Sequence, residues 1–358
     1  MNNLSVLLVS PFTNNVGGHN KGGVAQYSSS LFLESKKFNK FNYSLIHLGR
    51  SFKINSIIPR NVFILCNFIR YGLSVNHRIA LKNAFICFKF IFSDLRKIDI
   101  VHIQGIDNAP YFLCNYLKYN KNLKVILTVH SYHNIESHKR NFNKVIACCE
   151  NVIHVSHHDK NKGVSYEFNF RNKDTVLYNF LKITKPISKI FFDNKSSSCF
   201  IGSDIPRKQL NLAIKISNNL NMRLNIFGVH STKHEGDHKC FGYVQNQPLM
   251  QKISSFKLLI NPSKSESFGL VYIEAILRGL VVIGYIPILE EFYELGISRN
   301  SLMTDNKNND IDRICEEVRL KLNSYNYSEY LYNFRIVENK FSFKTHYNKL
   351  YDLYNSKI

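Results

Sequence analysis

The stretch that decides the fold runs from Asn261 to Val282 and reads NPSKSESFGLVYIEAILRGLVV. The apolar run Leu258–Ile260 before it is typical of a buried strand, which the Pro-Ser pair then ends. Beyond a loop that contains Gly269, apolar residues recur with helical spacing through Glu274. A strand, a glycine loop and a helix in this order predict one unit of an α/β sheet, and the amides at the helix N-terminus can bind an anion.

The same alternation of short apolar strands and amphipathic helices extends over the rest of the chain. The predicted strands are Ser5–Ser10, Asn42–His47, Ile98–Ile103, Lys124–Val129, Val152–Val155, Thr175–Tyr178, Cys199–Gly202, Arg223–Phe227, Leu258–Ile260 and Leu280–Ile283. Such alternation predicts parallel, doubly wound sheets. Residues 179–198 combine a proline, several lysines and a run of serines, and they interrupt the pattern as a linker would.

We therefore expect an N-terminal Rossmann-like domain over residues 1–180, a linker over 181–198 and a second Rossmann-like domain over 199–340. Residues 341–358 are expected to form a C-terminal helix that crosses back to the first domain, because no strand follows it. One face of this helix carries Phe343, Tyr347, Leu350, Tyr351 and Tyr354. In open parallel sheets ligands bind at the carboxyl ends of the strands, so two such domains facing each other would hold a ligand in the cleft.

The composition excludes two broad classes of protein. The 358 residues are 44% hydrophobic, with 27 Phe and 20 Tyr, which is too much apolar material for a mainly disordered chain. No run approaches the roughly 18 apolar residues of a membrane-spanning helix. The first residues predict a strand rather than a secretory leader, and the eight scattered cysteines include no C-x-x-C pair, so we expect a reducing cytoplasm.

The charge is strongly basic and unevenly distributed. The formal net charge is +21, and residues 1–185 hold 25 Lys and Arg against 9 Asp and Glu. A basic surface attracts the phosphates of nucleic acid, anionic lipid or a phosphorylated ligand, although a solvated surface explains any single lysine equally well. Residues 60–97 interleave seven basic and seven aromatic side chains. This mixture suits an interfacial helix, a surface for single-stranded nucleic acid, or a core helix with a basic face.

Glu266 and Glu274, with Gly279 after them, carry a resemblance to a known family. The stretch resembles the E-x7-E signature of retaining glycosyltransferases of the GT-B fold, family 4. Other segments are similar to motifs of this family, in the same order and over nearly the whole chain. They are Ser10-Pro11 with Gly22-Gly23, Asp99–His102, Thr128–His130, Val155-Ser156, Tyr178-Asn179, and Phe200–Gly202 with Lys208. The resemblance implies two Rossmann-like domains that face each other across a cleft.

The resemblance also implies a donor site for a nucleotide-sugar, with no metal or other cofactor and with a UDP-sugar favoured over a GDP-sugar. Glu266 and His130 would contact the donor sugar, and Lys208 would stabilise the leaving diphosphate, so the catalytic roles fall on these three residues. Glu274 would hold the ribose. The other donor-binding residues that the resemblance implies are Gly22, Gly23, Gly202, Arg207, Ser267, Phe268, Gly269, Leu270 and Val271.

Three departures from the family pattern concern the phosphate site, and one of them is Phe180 in place of the glycine that follows Tyr178-Asn179 in the family. Ser203 stands where the family has an arginine, and the acidic Asp204 follows it. Gln209 replaces the glycine that follows Lys208 in the family. Arg207, next to Lys208, is a cation that could take the place of the missing arginine.

Three histidine-containing motifs have a structural explanation. The sequence from His234 to His238 matches the H-E-x-x-H of zinc proteases, but apparent strands flank it and Gly236 lies inside it, so we expect no zinc site there. His102 lies within an apolar run and is expected to be structural. Ser156 is followed by two histidines, but no carboxylate that would orient them is evident, so a structural role is preferred there too.

We therefore expect a retaining glycosyltransferase that moves a sugar from a nucleoside-diphosphate sugar to a glycan or a lipid-linked (polyprenyl-linked) acceptor. The expected setting is assembly of a bacterial surface polysaccharide such as O-antigen, capsule or lipopolysaccharide. The protein would be cytoplasmic, with peripheral contact to the inner membrane through its basic first domain, and no nucleic-acid partner is expected. One alternative is a non-catalytic partner of the same fold with a degraded phosphate site, which Ser203 supports. Another is a basic nucleic-acid binder, which charge alone supports.

Overall fold

The computed structural model describes residues 4–10, 23–38, 41–47, 98–105, 114–115, 117–118, 123–132, 139–170, 172–303 and 310–356. These residues group into two compact units. Unit 1 falls within residues 1–154, 163–175 and 351–358, and unit 2 within residues 155–162 and 176–350. The domain boundaries that the sequence suggests, at residues 180, 198 and 340, stay predictions.

The sheet of unit 1 has parallel neighbouring strands, as the alternating pattern predicts. Its strands are β1 (Leu4–Ser10), β2 (Phe41–His47), β3 (Ile100–Gln104), β4 (Lys124–Val129), β5 (Asn151–His154) and β6 (Asp174–Val176). They lie in the order β2-β1-β3-β4-β5-β6. All of β3 and nearly all of β4 is buried, which is why these strands read as continuous apolar runs.

The sheet of unit 2 is also parallel. Its strands are β7 (Ser198–Ile201), β8 (Leu224–Phe227), β9 (His238–Cys240), β10 (Leu258–Ile260), β11 (Val281–Ile283) and β12 (Leu302–Met303). They lie in the order β12-β11-β10-β7-β8-β9. The first strand in sequence, β7, is therefore central, and the strand order reverses beside it.

Helices connect the strands in both units. In chain order they are α1 (Gly23–Ser35), α2 (Lys139–Cys148), α3 (His157–Ser165), α4 (Lys189–Asp193), α5 (Leu210–Asn219), α6 (Asn246–Ile253), α7 (Leu270–Ile276), α8 (Ile286–Glu294), α9 (Ile311–Ser324), α10 (Tyr327–Phe341) and α11 (Phe343–Asn355). In the described residues, no helix combines the length and the hydrophobicity that crossing a bilayer requires.

The last helix ends on the sheet of unit 1, as predicted. Residues from Tyr351 onward belong to that unit, and the Oη of Tyr354 lies 2.6 Å from Nδ1 of His102. The other ring nitrogen of His102 lies 2.7 Å from Oγ1 of Thr128. His102 is fully buried, so its two hydrogen bonds tie the end of α11 to β3 and β4. This is the structural role that the sequence indicates for His102.

The predicted linker contains more structure than expected. Residues 179–198 include α4, and Ser198 already belongs to β7. Ser188 caps α4 by accepting a hydrogen bond from the backbone N–H of Phe191 (3.3 Å). Phe192 then stacks on Tyr330, with ring centroids 5.5 Å apart. The Ser-Lys-Ile-Phe-Phe sequence forms this short helix because Ser188 caps its first turn and Phe192 packs its ring against Tyr330.

His346 is a buried titratable group in unit 2. It is 2% exposed, and its Nδ1 donates a hydrogen bond to the carbonyl of Tyr178 (2.8 Å). Its ring lies 5.0 Å from that of Phe180. Burial, assisted by the charge of Lys349, lowers the pKa of His346 to about 4 although the hydrogen bond to Tyr178 opposes the shift. The folded protein therefore keeps this imidazole neutral where an unfolded chain would protonate it.

We predict that the stability of the protein depends on pH through His346. The unfolded state takes up a proton near pH 6.5 and the folded state only near pH 4. Between these values the free energy of unfolding should therefore fall by about 1.4 kcal/mol for each unit by which the pH is lowered. His346→Asn keeps a side-chain donor for Tyr178 but cannot titrate. Urea unfolding of both proteins between pH 7.5 and pH 4.5 measures the difference, and parallel stability curves would contradict the prediction.

Candidate functional site

The candidate site lies where the strand order of unit 2 reverses. Strand β7 is flanked by β10 on one side and by β8 on the other. In open α/β sheets a ligand binds outside the carboxyl ends of the strands at such a point, because the loops there diverge and leave a crevice. The loops after β7 and β10 therefore frame the site, and they hold residues 202–209 and 261–269.

The side chain of Asn261 joins these two strand ends. Its Oδ1 accepts a hydrogen bond from the N–H of Ile201 (2.9 Å), and its Nδ2 donates to the carbonyl of Ile201 (2.7 Å). The Oη of Tyr272 donates to the carbonyl of Asn261 (3.2 Å). Because Asn261 is fully buried, these hydrogen bonds cannot be exchanged for bonds to water without loss of stability. They set the separation of the two loops.

Two glycines allow the ends of β7 and β8 to approach each other closely. The N–H of Gly202 donates to the carbonyl of Phe227 (2.9 Å). Gly228 has a φ of +99°, and a Cβ atom there would lie 2.5 Å from the carbonyl oxygen of Gly202. The positive φ and the short distance to Gly202 both exclude a side chain at position 228, so only glycine fits there. Gly202 thus shapes the start of the loop that leads to Lys208.

Arg207 and Lys208 reach toward the loop after β10 from a short 3-10 turn. The turn spans Pro206–Lys208, and Gln209 leaves it in the left-handed region, with φ 53° and ψ 46°. Glycine adopts this conformation without strain, which explains the glycine that the resembling family has at this position. Nη1 of Arg207 donates a hydrogen bond to the carbonyl of Ser265 (2.6 Å). The guanidinium therefore points toward the predicted phosphate site.

Glu266 faces both cations. Its Oε1 forms a hydrogen-bonded ion pair with Nζ of Lys208 and lies 3.6 Å from Nη1 of Arg207. The side chains of Lys208 and Glu266 are 14% and 12% exposed, so water screens their attraction less than it would at the surface. Three of the predicted site residues are thus brought together around one carboxylate.

The loop from Ser267 to Gly269 leads from Glu266 into α7. Gly269 precedes the helix with a φ of +69°, and a Cβ atom there would meet the ring of Tyr272 at 2.4 Å. Phe268 is 3% exposed and anchors the loop by its side chain. The rings around it, with centroids 5.7–5.9 Å away, are those of Tyr178, Phe292 and Phe341. The predicted amides of Leu270 and Val271 lie in the first turn of α7.

Glu274 lies one turn farther along α7 and is half-buried. Burial lowers the pKa of Arg278, and the charges of Tyr330 and Glu274 oppose that shift, which places the Glu274 carboxylate near this guanidinium. Ser203 and Asp204 are exposed, and Oδ1 of Asp204 lies 3.8 Å from Nε2 of His234. The roles of Glu274 toward a ribose and of Ser203 in the phosphate site stay predictions.

His130 belongs to unit 1 and follows β4. It is 9% exposed, and its Nε2 lies 2.8 Å from Oε1 of Gln104, the last residue of β3. The ring of Tyr27, on α1, meets the imidazole edge to face with centroids 5.1 Å apart. In unit 1 the strand order reverses between β1 and β3, so His130 lies one strand from that point. Gly23 begins α1, and Gly22 lies outside the described residues, as do residues 60–97.

The H-E-x-x-H sequence does not form a helix. His234 lies in the loop after β8 and His238 begins β9, so the two rings do not share the helical face that a zinc protease needs. Within the described ranges, no cluster of three or more His, Cys, Asp or Glu side chains is placed to hold a metal ion.

Several residues that shape the site were not recognised from the sequence. Asn261 and Gln104 each end a buried strand or follow it directly, and a polar residue at that position is the signal that could have identified them. Glu291 gave no such signal, because its partners lie more than 130 residues away in sequence. Its carboxylate accepts hydrogen bonds from the backbone N–H groups of His157 (2.7 Å) and His158 (3.0 Å). It therefore caps α3 and orients no histidine ring.

Comparisons with solved structures identify the fold as GT-B. The chain is similar to the sucrose-phosphate synthase of Thermosynechococcus elongatus (TM-score 0.72, 13% identity, 98% of each chain covered). It is also similar to Anabaena HepE in complex with UDP (TM-score 0.67, 13% identity, 98% of this chain and 99% of the other). A third similar structure is WaaG, a glycosyltransferase involved in lipopolysaccharide biosynthesis (TM-score 0.65, 12% identity, 99% and 100% covered). No protein-family profile and no curated protein matches this sequence.

We predict that Gly228→Ala destabilises the site framework more than Gly296→Ala does. Both glycines have positive φ (+99° and +103°), so each alanine carries a backbone strain of about 1–3 kcal/mol. At Gly296 the added Cβ has only ordinary contacts, the nearest at 3.6 Å, whereas at Gly228 it meets the carbonyl of Gly202. The clash should add about 1–3 kcal/mol. Chemical unfolding of the two variants tests this, and equal free energies of unfolding would show that the β7 and β8 ends move apart freely.

Proposed function

We propose that this chain is a glycosyltransferase that takes a sugar from a nucleoside-diphosphate sugar, most favourably a UDP-sugar. The observation that carries the proposal is the pairing of Lys208 and Arg207 with Glu266 where the strand order of unit 2 reverses. Two cations beside a glycine-capped helix suit a diphosphate, and a carboxylate among them suits sugar hydroxyls. The likeness to a HepE structure that contains UDP-glucose supports the choice of donor.

The proposed chemistry is hexosyl transfer with retention of the anomeric configuration. The bond between the anomeric carbon and the diphosphate breaks, and a bond forms between that carbon and a hydroxyl oxygen of the acceptor. Negative charge develops on the leaving diphosphate, which takes up the hydroxyl proton. Lys208 and Arg207 are already held in place by Glu266 and Ser265, so they stabilise this charge without reorganising. We propose that Glu266 then contacts the donor sugar, that His130 contacts it from unit 1, that Glu274 holds the ribose and that no metal takes part.

The proposed acceptor is a glycan or a lipid-linked saccharide, in the assembly of a bacterial surface polysaccharide. The likeness to WaaG, a glycosyltransferase involved in lipopolysaccharide biosynthesis, supports this setting. The excess of basic residues in the first 185 positions supports a peripheral contact of that part with an anionic membrane surface. We propose a cytoplasmic location for the protein on the same grounds.

A second candidate function is a non-catalytic binding partner of the same fold. The exposed Ser203 and Asp204 favour it, because an acid stands beside the position where the resembling family carries a phosphate-binding arginine. If this candidate is correct, the chain binds its acceptor or another transferase but holds a nucleotide-sugar weakly.

The deciding experiment is binding of UDP-, GDP- and other nucleotide sugars to the purified chain, measured by ligand-observed NMR in the presence of EDTA. We predict that one donor saturates the protein and that Lys208→Ala weakens its binding at least tenfold, because a charge-assisted hydrogen bond to phosphate contributes about 1.5–3 kcal/mol. Lys215→Ala removes the same charge from an exposed position on α5 and should leave the affinity unchanged. Glu274→Ala should lower the affinity of the protein for donors that carry a ribose hydroxyl.

Turnover is the second part of this experiment. With a saturating donor, Glu266→Ala should abolish transfer while the protein stays folded, and the H1–H2 coupling constant of the transferred sugar reports whether the configuration is retained. If no donor binds to the wild-type protein but Ser203→Arg acquires binding, the non-catalytic candidate is favoured. Equal turnover by the wild-type protein and Glu266→Ala would refute the site assignment.

A further inference from the structure

The loop that carries Glu266 is held from a second side, by the N-terminus of α3. The hydroxyl of Ser156 donates a hydrogen bond to the carbonyl of Ser267 (2.5 Å). The same hydroxyl accepts a hydrogen bond from the backbone N–H of Asp159 (3.0 Å) and so caps α3. Ser156 and Ser267 lie 111 positions apart in sequence, and both belong to unit 2. One side chain thus joins a helix cap to the loop after β10.

Asp159 makes a second contact to the same loop residue. It is 1% exposed, and its carboxylate accepts a hydrogen bond from the side chain of Ser267. Its Oδ2 is buried and accepts no hydrogen bond from any residue that the structure describes. Ser267 is therefore held at its carbonyl by Ser156 and at its hydroxyl by Asp159. A carboxylate with one buried, unpaired oxygen is costly to maintain, which indicates a role beyond packing.

The helix that presents these two residues is itself fixed. Glu291, on α8, is 6% exposed and accepts hydrogen bonds from the N–H groups of His157 and His158. Its charge also offsets part of the helix dipole at this end of α3. Ser156 and Asp159 therefore lie at a helix end that Glu291 holds in place. Their hydrogen bonds to Ser267 restrict the motion of the loop.

We propose that Ser156 and Asp159 are positioning residues for the donor site: they hold Ser267, and through it they set the backbone between Glu266 and Phe268. The inference rests on the proposed donor-binding function of this loop. It adds that the protonation state of Asp159 tunes the same site. When the Asp159 carboxyl beside Ser267 is ionised, its negative charge disfavours the binding of a diphosphate at the neighbouring amides.

The charges around Asp159 make such tuning effective near neutral pH. Burial raises the pKa of Asp159 to about 7, against the hydrogen bond from Ser267 and the positive charge of Lys162, and with a small further rise from Glu291. Tyr285, at the start of α8, is a further titratable group that interacts with it. Below pH 7 the carboxyl is neutral, and above it the carboxylate stands close to a further acid, Glu291.

The expected consequence is a donor affinity that depends on protons. Since a bound diphosphate favours the neutral carboxyl, binding should take up as much as about half a proton at pH 7 and about one proton a unit higher. The affinity should accordingly fall by as much as about tenfold per pH unit above pH 7. Asp159→Asn keeps an oxygen that accepts the hydrogen bond from Ser267 but cannot ionise. We expect this variant to bind the donor with little dependence on pH between 6 and 8.5.

Calorimetric titration of the donor in buffers of different ionisation heat measures this proton uptake directly. UDP is the probe where the sugar is unknown. Uptake in the wild-type protein that disappears in Asp159→Asn supports the proposal. Equal pH dependence in the two proteins overturns the tuning by Asp159.

A measurement without donor separates this inference from the proposed function. Hydrogen exchange of the amides of residues 266–270 at pH 6 should accelerate at least tenfold in Ser156→Ala and in Asp159→Ala, and stay close to wild type in Asp159→Asn. Exchange in β4, in unit 1, is the internal control for global unfolding. If exchange in the loop is the same in all variants, the positioning role is refuted. If exchange responds as expected but no nucleotide binds to the wild-type protein, the positioning role stands and the proposed function fails.

Discussion

The hydrogen bonds between Asn261 and Ile201 are the constraint on which the candidate site depends. A parallel sheet brings the ends of β7 and β10 to one edge, but it leaves the loops beyond them free to diverge. Asn261 replaces the next rung of the ladder with a side chain, since it both accepts from and donates to the backbone of Ile201. The loops that carry Lys208 and Glu266 therefore start from positions that are fixed relative to each other.

The rest of the site follows from this starting geometry. Close approach at Gly202 and Gly228 directs the chain after β7 toward the short turn that presents Lys208. Burial of Phe268 holds the chain after β10 in place, so that Glu266 remains opposite that lysine. Backbone geometry thus places the charges first, and the ion pair forms because the loops already meet. A site built in this order is preorganised before any ligand arrives.

Local pattern was enough to predict most of the fold. Lys124–Val129 and Leu258–Ile260 are strands with the predicted limits, because buried parallel strands read as apolar runs between turn residues. The strand predicted at Thr175–Tyr178 is shorter, Asp174–Val176, and the predicted linker contains a helix. In the site, Glu266 and Lys208 were predicted by resemblance to a family motif, whereas the direction of Arg207 depends on its contact with the carbonyl of Ser265, which no motif encodes. Contacts such as that of Ser156 with Ser267 join distant parts of the chain, and no local pattern indicates them.

The three acids near the loop after β10 show how the charges of such a site can be arranged. Glu266 is balanced by Lys208 and Arg207, and Glu291 by the amides at the start of α3. Counted together, Lys208, Arg207 and Glu266 leave the predicted phosphate site with one net positive charge, which neutralises only part of the negative charge of a diphosphate. The backbone amides between Ser267 and Val271 would have to supply the remaining stabilisation, and amides do so only when their orientation is fixed. The electrostatics of the site therefore require this loop to be rigid. The buried carboxyl of Asp159 contacts Ser267 in the loop, so its protonation state affects how firmly the amides are oriented.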